Sequence, residues 1–449
     1  MTSTKFKVAV CGGGVGGLTL AVALSKYPDV EVEVFEAAKQ FTEVGAGVGI
    51  WPRAFKVLRK LGRDIDHTLV NAATDFEMTE DFVPALSYRK SDQPEGVELF
   101  KLMTKGGLMK FHRADFHGTL LSSLSPSCKT HTSKKLVAYS QPAAPQKSPI
   151  ILTFADGSSS SCDLLVGADG IKSAVRGCMM REIAQSLSGQ AAMSALSCID
   201  PIWSGAIAYR TLISTEKLRA CAPHHRALRE PTVYLGKDVF CVVYPISKGK
   251  FINFAGFTLS EELIRTSYHA DTSGRKRFEG PWVRELSKEE MCKPFEGLED
   301  DTKPLLKCVD RGTLWAVHTV KPLPAHYHGR VALVGDAAHA MMPFQGSGAG
   351  QSIEDAYLLA TVLGHPSTKL ETIPRALAVY DKLRRPFSSD VALRAKTNGQ
   401  MSVWQARDIP LAKLGEIMTK NWEWAWLSEL DGALHDATKL LDSKVPSTY

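Results

Sequence analysis

Gly12, Gly14 and Gly17 stand at GxGxxG spacing in KFKVAVCGGGVGGLTLAVAL, and Glu36 closes the valine-alternating stretch that follows. Glycine at the first position permits a tight turn. At the second it lets a pyrophosphate approach the backbone, and at the third it lets a helix pack close to a strand. Free N–H groups at the helix start can then face phosphates. Val15 and Ala37 adjoin these positions and are further binding candidates. Glu36 can accept from both hydroxyls of an adenosine ribose, and a carboxylate there disfavours a 2′-phosphate. The pattern reads as a site for FAD or NAD, not NADP.

A second glycine cluster lies far along the chain, in GDAAHAMMPFQGSGAGQSIEDA. Asp336 lies just beyond an apolar run and can accept hydroxyls from a sugar-like chain. Gly346, Gly348 and Gly350 lead into a helix predicted over roughly 350–363, with Pro343 and Ala349 beside them. Helix-start N–H groups can stabilise negative charge on a bound ring. One long cofactor held at both ends accounts for both clusters. His339, inside this stretch, reads as structural.

Other residues carry chemistry less locally. FTEVGAGVGIWPRAF places Gly45, Gly47 and Gly49 where a backbone could pass close to a flat group, with Pro52 opening a helix behind them. Arg210 ends the apolar run AIAYR, where a guanidinium is costly unless paired or holding an anion. Tyr244 precedes Pro245. His326 and His328 flank Tyr327 in a polar lead-in to a strand, and no metal site is expected.

The elements that position these residues are readable in outline. Residues 6–11 form a short buried strand, followed by a helix through Leu18, Ala21, Val22 and Leu24 and a second strand through Val30, Val32 and Val34. Residues 126–149 are loose and rich in Ser, Pro and Lys, in part an exposed insertion. Then ILTFADGSSSSCDLLVGADG gives strand, Asp156-Gly157 turn and strand, with Leu164–Val166 fully apolar. Between 200 and 325, AIAYRTLI, TVYLG, VFCVVYPI and GKFINFAGF suggest a mainly antiparallel sheet. Residues 370–447 are largely helical, and WEWAWLSEL puts Trp422 and Trp426 on one face of a packed cover or dimer contact.

The 449 residues allow two or three domains. A net charge of +6 with no basic stripe argues against a nucleic-acid partner. The nine cysteines are scattered without CxxC, which favours a reduced interior. No secretory signal, long apolar run or peroxisomal tripeptide is evident, so a cytoplasmic enzyme without stable membrane association is expected.

With these motifs in order, the chain resembles the single-component FAD-dependent aromatic hydroxylases, the group A flavoprotein monooxygenases, in particular their salicylate hydroxylase-like members. GGGVGG with Glu36, DLLVGADGIKSAVR and GDAAHAMMPFQGSGAGQSIEDA carry the resemblance, supported by HRADF and YDKLRRP, over residues 6 to about 390. It implies an α/β fold: a Rossmann-like FAD-binding domain, discontinuous over 1–75, 108–190 and 325–390, a mixed β-sheet substrate domain over 76–107 and 191–324, and a C-terminal helical region over 391–449. It implies FAD as cofactor and NADH or NADPH as co-substrate. Arg113 would contact FAD, Arg53 would line the flavin region and Asp169 would serve both nucleotides. Asp336 would hold the ribityl chain, with Pro343 and the following glycines against the isoalloxazine. Tyr244 falls on the family's YP pair, and Arg210 matches a substrate-anchoring arginine. Some relatives have a histidine four places before that tyrosine, where this chain has Phe240. The implied reaction is O2-dependent hydroxylation of a phenolic acid, salicylate to catechol with loss of CO2, by a monomer or homodimer. Hydroxylation or dearomatisation of another phenol in fungal secondary metabolism is the alternative, as is a non-catalytic FAD-binding protein.

Overall fold

β1 (Phe6–Cys11) is apolar on both faces because both are covered. It lies at the centre of a six-stranded sheet, between β2 (Val30–Phe35) and Leu164–Gly167, with Val10 paired to Val34 and to Val166 in parallel register. Val331–Leu333 extends the parallel order on one side and Lys129–His131 on the other, with Tyr327–His328 as an antiparallel edge. α1 (Val15–Leu24) crosses one face beside the helix Gly348–Gly364. The structure is a computed structural model that describes residues 4–41, 47–74, 76–77, 79–142, 148–261, 277–405 and 409–443. Gly45 lies outside the described residues.

The described residues of the stretch 126–149 are more regular than its composition suggests. Lys129–His131 completes the parallel sheet, and Leu136–Ser140 joins Ile150–Phe154 and Ser159–Cys162 in a three-stranded antiparallel sheet. The physical reason is the apolar Leu136 and Tyr139, both buried among these strands. Gly157 at φ +82° makes the expected turn.

A second sheet has eight strands, in the order 283–286, 312–319, 202–214, 251–259, 239–246, 232–236, 82–90 and 97–105. Every pairing is antiparallel except that of Thr232–Gly236 with Phe82–Lys90. Cross-strand partners share a face, and so do residues two apart. Arg210 pairs with Ala255 and Tyr244 with Asn253, so all four project from one face. Phe240 and Phe257 lie on that same face. The opposite face carries Cys241, Val243 and Phe254, and is covered by the helices Lys288–Cys292 and Lys303–Lys307 with their connections.

The C-terminal tryptophans are a packed cover. They sit on two short helices, Leu414–Trp422 and Trp424–Leu427, and converge on Trp51, with ring centroids 5.0 Å away for Trp422 and 5.9 Å for Trp426. All three rings are buried. Among the described residues, no helix is long and apolar enough to cross a membrane.

Candidate active site

The first glycine turn is sterically forced. Gly12 has φ +113°, and a Cβ there would stand 2.2 Å from the carbonyl oxygen of Ala168. A Cβ on Gly17 would stand 2.0 Å from the carbonyl oxygen of Gly12. Gly14 is different: a Cβ there would meet no atom within 4 Å. The turn therefore closes on itself at Gly12 and Gly17 and opens outward at Gly14, beside the start of α1 at Val15. Glu36 follows β2 and accepts from the N–H groups of Gly13 and Ala38, both at 2.7 Å, next to exposed Ala37. His117 Nε2 donates to the carbonyl of Gly13 at 2.7 Å, a second support that the HRADF stretch did not advertise.

The second glycine turn joins the first through helix packing. A Cβ on Gly16 would lie 3.3 Å from Cβ of Ser352, near the start of each helix. Gly335 at φ +61° lets the chain turn sharply after Val331–Leu333. Asp336 is then exposed between buried neighbours. Pro343–Gln345 forms one turn of 3-10 helix ending in Gly346, which is left-handed at φ +60°. Gly348 and Ala349 open the Gly348–Gly364 helix, and a Cβ on Gly348 would meet nothing within 4 Å. Two open backbone turns, an accessible carboxylate after each of two parallel strands and helix starts behind them fit the two ends of FAD.

Arg176 ties the middle motif to the last one. Fully buried, it donates to the carbonyls of Ile171, Ile199 and Ala337. Asp169 accepts from Ser173 Oγ at 2.5 Å and from the N–H groups of Ala174 and Val175. Burial pushes its carboxyl up, and these hydrogen bonds oppose the shift. In the structure Asp169 thus braces the start of the Ala174–Gln185 helix.

Beneath the second turn lies a buried ionic network. Arg53 donates bidentately to Glu354, both contacts at 3.0 Å, and also reaches Ser428 Oγ and the carbonyl of Glu429. Arg384 donates to Glu354 and Asp355, each at 2.8 Å. Asp355 further accepts from the N–H of Gly335 and from His339 Nε2. His339 therefore braces the turn. Arg53 lies in the helix Pro52–Arg59, with its guanidinium committed to this network.

Between the turns and the eight-stranded sheet, Gly47 brings the backbone against Tyr244 and Asn253. Its N–H donates to Asn253 Oδ1 at 2.9 Å. Arg210 lies close to both the Arg113 guanidinium and the Tyr244 hydroxyl. Its Nε is buried with no protein partner, and its guanidinium lies over Trp315, 5.5 Å from the ring centroid. Burial lowers its proton affinity, Arg113 lowers it further and Tyr244 opposes them. Burial pushes the Tyr244 hydroxyl up to about 12, with Arg210 pulling the other way. Phe240 stacks on Phe257 with centroids 4.8 Å apart, and Phe344 of the second turn packs edge-on against both, at 5.7 and 5.5 Å. The Phe240 position is an aromatic wall with no proton to offer Tyr244.

Sequence reasoning singled out Arg210, Tyr244, Arg113 and Gly47 on separate grounds, and the fold brings them to one place. Asn253, Trp315 and His117 were missed, because one polar or aromatic residue in a strand or helix has no local signature.

Two glycine-lined turns on a mainly parallel sheet, with a mainly antiparallel sheet carrying Arg210 and Tyr244 beside Gly47, define an FAD-dependent oxygenase fold. Residues 5–197 and 285–395 match the FAD binding domain family. The chain is 35% identical over 439 residues to salicylate hydroxylase of Pseudomonas putida, covering 96% of this chain and 94% of that one. It is 34% identical over 450 residues to the FAD-dependent monooxygenase str9 of Strobilurus tenacellus, covering 94% and 95%. A solved salicylate hydroxylase substrate complex superposes with a TM-score of 0.80 at 31% identity, covering 99% of this chain and 100% of that one. The chain belongs to the FAD-dependent aromatic hydroxylases of the salicylate hydroxylase type. It is a flavoprotein monooxygenase that uses FAD with NAD(P)H as co-substrate.

Proposed function

We propose that the protein hydroxylates a phenolic aromatic acid, with salicylate as substrate and catechol and CO2 as products. The observation that carries this reading is Arg210. A buried Nε without a protein acceptor, beside a second guanidinium at Arg113, is a standing demand for an anion. A substrate carboxylate or phenolate meets it.

Bound FAD supplies hydride acceptance from the nicotinamide and activation of oxygen. Glu36 would hold the adenosine ribose, with Gly12, Gly14, Val15, Gly17 and Ala37 beside the diphosphate. Asp336 would hold the ribityl chain, with Pro343, Gly346, Gly348 and Ala349 near the ring. Arg113 and Gly47 would contact the cofactor, Arg53 would brace the helix that follows Gly47, and Asp169 would brace the helix start next to the nucleotides.

The chain's own part in the reaction is to place and polarise the ring. Arg210 binds the carboxylate and stabilises charge developing on the phenolic oxygen. Tyr244, with its proton held tightly, donates a hydrogen bond to that oxygen rather than removing a proton from it. Phe240, Phe257 and Phe344 keep water from one side.

A second reading, hydroxylation of another phenol, is supported by nearly equal identity to the fungal str9 monooxygenase. Both readings are tested together. The purified yellow holoenzyme is assayed for NADH and NADPH consumption with salicylate, other hydroxybenzoates and carboxyl-free phenols, and the products are identified by mass. Salicylate-stimulated consumption with catechol formed in step supports the proposal. Stimulation by carboxyl-free phenols alone overturns it in favour of the second reading.

A further inference from the structure

We propose that Cys221 and Cys308 form a peroxide-oxidisable dithiol, a modification site on the side of the eight-stranded sheet away from the active site. Cys221 is the last residue of the helix Thr215–Cys221 and is exposed. Cys308 caps the helix Lys303–Lys307 and is buried. Their sulfurs lie 3.4 Å apart, across a sequence separation of 87 residues. None of the other seven cysteines has a second sulfur in such contact, among the described residues. The two segments are also held together independently. Lys217 Nζ bridges both carboxylate oxygens of Asp310, at 2.7 and 2.5 Å. Leu218, Leu305 and Leu306 are buried in the same apolar cluster. Closing the bond therefore needs a sulfur–sulfur approach of only about 1.3 Å, to the usual disulfide length.

The order of events follows from exposure. Cys221 meets the oxidant first. Burial, and then Cys221 itself, pushes the Cys308 thiol up to about 11, so it serves as the resolving sulfur. The oxidant is hydrogen peroxide, an ordinary by-product of flavin-dependent oxygen use. The Cys221 thiolate attacks it: an S–O bond forms, the O–O bond breaks, and the leaving hydroxide takes a proton to become water. The sulfur is oxidised by two electrons and the peroxide is reduced. Cys308 then attacks the sulfenic sulfur. The S–S bond forms, the S–O bond breaks, and the hydroxyl leaves with the thiol proton as a second water.

The site bears on the active centre through two strands. The Thr215–Cys221 helix continues directly from the strand Ile202–Ser214, which carries Arg210. Cys308 precedes the strand Gly312–Thr319, whose Thr313 pairs with Arg210. Oxidation staples the segments that enter and leave the Arg210 register.

The experiment uses the full-length holoenzyme, treated with hydrogen peroxide, quenched by alkylation under denaturing conditions and mapped without reductant. The expected result is an intact mass lower by two hydrogen atoms, two fewer alkylated thiols and one cross-linked peptide pair containing Cys221 and Cys308. Cys221→Ser and Cys308→Ser should each abolish the cross-link, and Cys128→Ser should retain it. The wild-type map decides even if a serine variant folds poorly. Sulfinic acid at Cys221 with Cys308 still alkylated, or a cross-link between other cysteines or between two chains, overturns the proposal.

Discussion

The hydroxyl oxygen of Tyr244 stands 2.6 Å from the point where a side chain on Gly47 would begin. The same point is 2.9 Å from Cγ of Asn253. No side chain fits there unless the tyrosine and asparagine move. Gly47, the first residue of the strand Gly47–Ile50, is thus a spacer that sets how closely this backbone approaches the eight-stranded sheet.

Gly47→Ala should therefore leave the fold intact and misplace Tyr244. Displacements of this order at a reacting centre cost about 10- to 100-fold in turnover. The expected outcome is a fall of that size in kcat with an unchanged far-UV circular dichroism spectrum. Wild-type turnover in the variant would show that the loop yields without disturbing the site.

Arg210 and Tyr244 should separate by kinetic parameter. Arg210→Gln removes a charged hydrogen-bond donor worth about 1.5–3 kcal/mol, or roughly 10- to 100-fold. The loss should appear mainly in KM for carboxylated substrates and be small for carboxyl-free phenols. Tyr244→Phe should lower kcat instead. Because the Tyr244 proton is held up to about 12, the ratio of wild-type to variant kcat should stay flat between about pH 6 and 9. A ratio that rises with pH in that range would instead make Tyr244 a base.

Arg384 and Arg53 share Glu354 but should differ in cost. Arg384→Met takes a charged partner from two buried carboxylates, leaving Glu354 with Arg53 and Asp355 with His339, and should destabilise by about 3–5 kcal/mol. Arg53→Met leaves Glu354 with Arg384 and should cost about 1–3 kcal/mol. Urea unfolding of the two variants, monitored by tryptophan fluorescence, checks the order. Equal losses would mean that the network is not shared as its geometry suggests.

Acid should destabilise the protein in two steps. Burial, reinforced by His339, pushes His326 down to about 3. Its folded affinity for protons is below its unfolded value near 6.5, so stability is full above about 6.5 and falls as pH drops towards 3. Asp355 is also held below its ordinary range: burial alone would raise it, and His339 and Arg384 outweigh that. Its contribution is lost only as pH falls below the usual carboxylate range. The interval from pH 6.5 to about 4 is therefore assigned chiefly to His326, with a smaller share from His318, which burial also holds down. Stability should drop by about 2 kcal/mol between pH 7 and pH 5. His326→Gln should flatten that slope, as read from urea midpoints at the two pH values.

The amino-acid sequence by itself determined the parts of this protein that obey local rules. Gly12 and Gly17 admit no Cβ, β1 and β2 show their burial in their apolar pattern, and Ser173 caps its helix through its own neighbours. Each of these constraints acts within a few residues, so the pattern is written where it operates. Tertiary structure decided the rest. It set Arg210 beside Arg113 and Tyr244, put Asn253 against Gly47, tied Arg53 to Glu354, and drew Trp422 and Trp426 onto Trp51. It also made a strand of Lys129–His131, whose own residues carry no apolar alternation, by offering it the open edge of β2. These contacts join residues far apart in the chain. Their energies depend on burial and on partners supplied by other strands, and no short window of sequence contains both sides of such a pair.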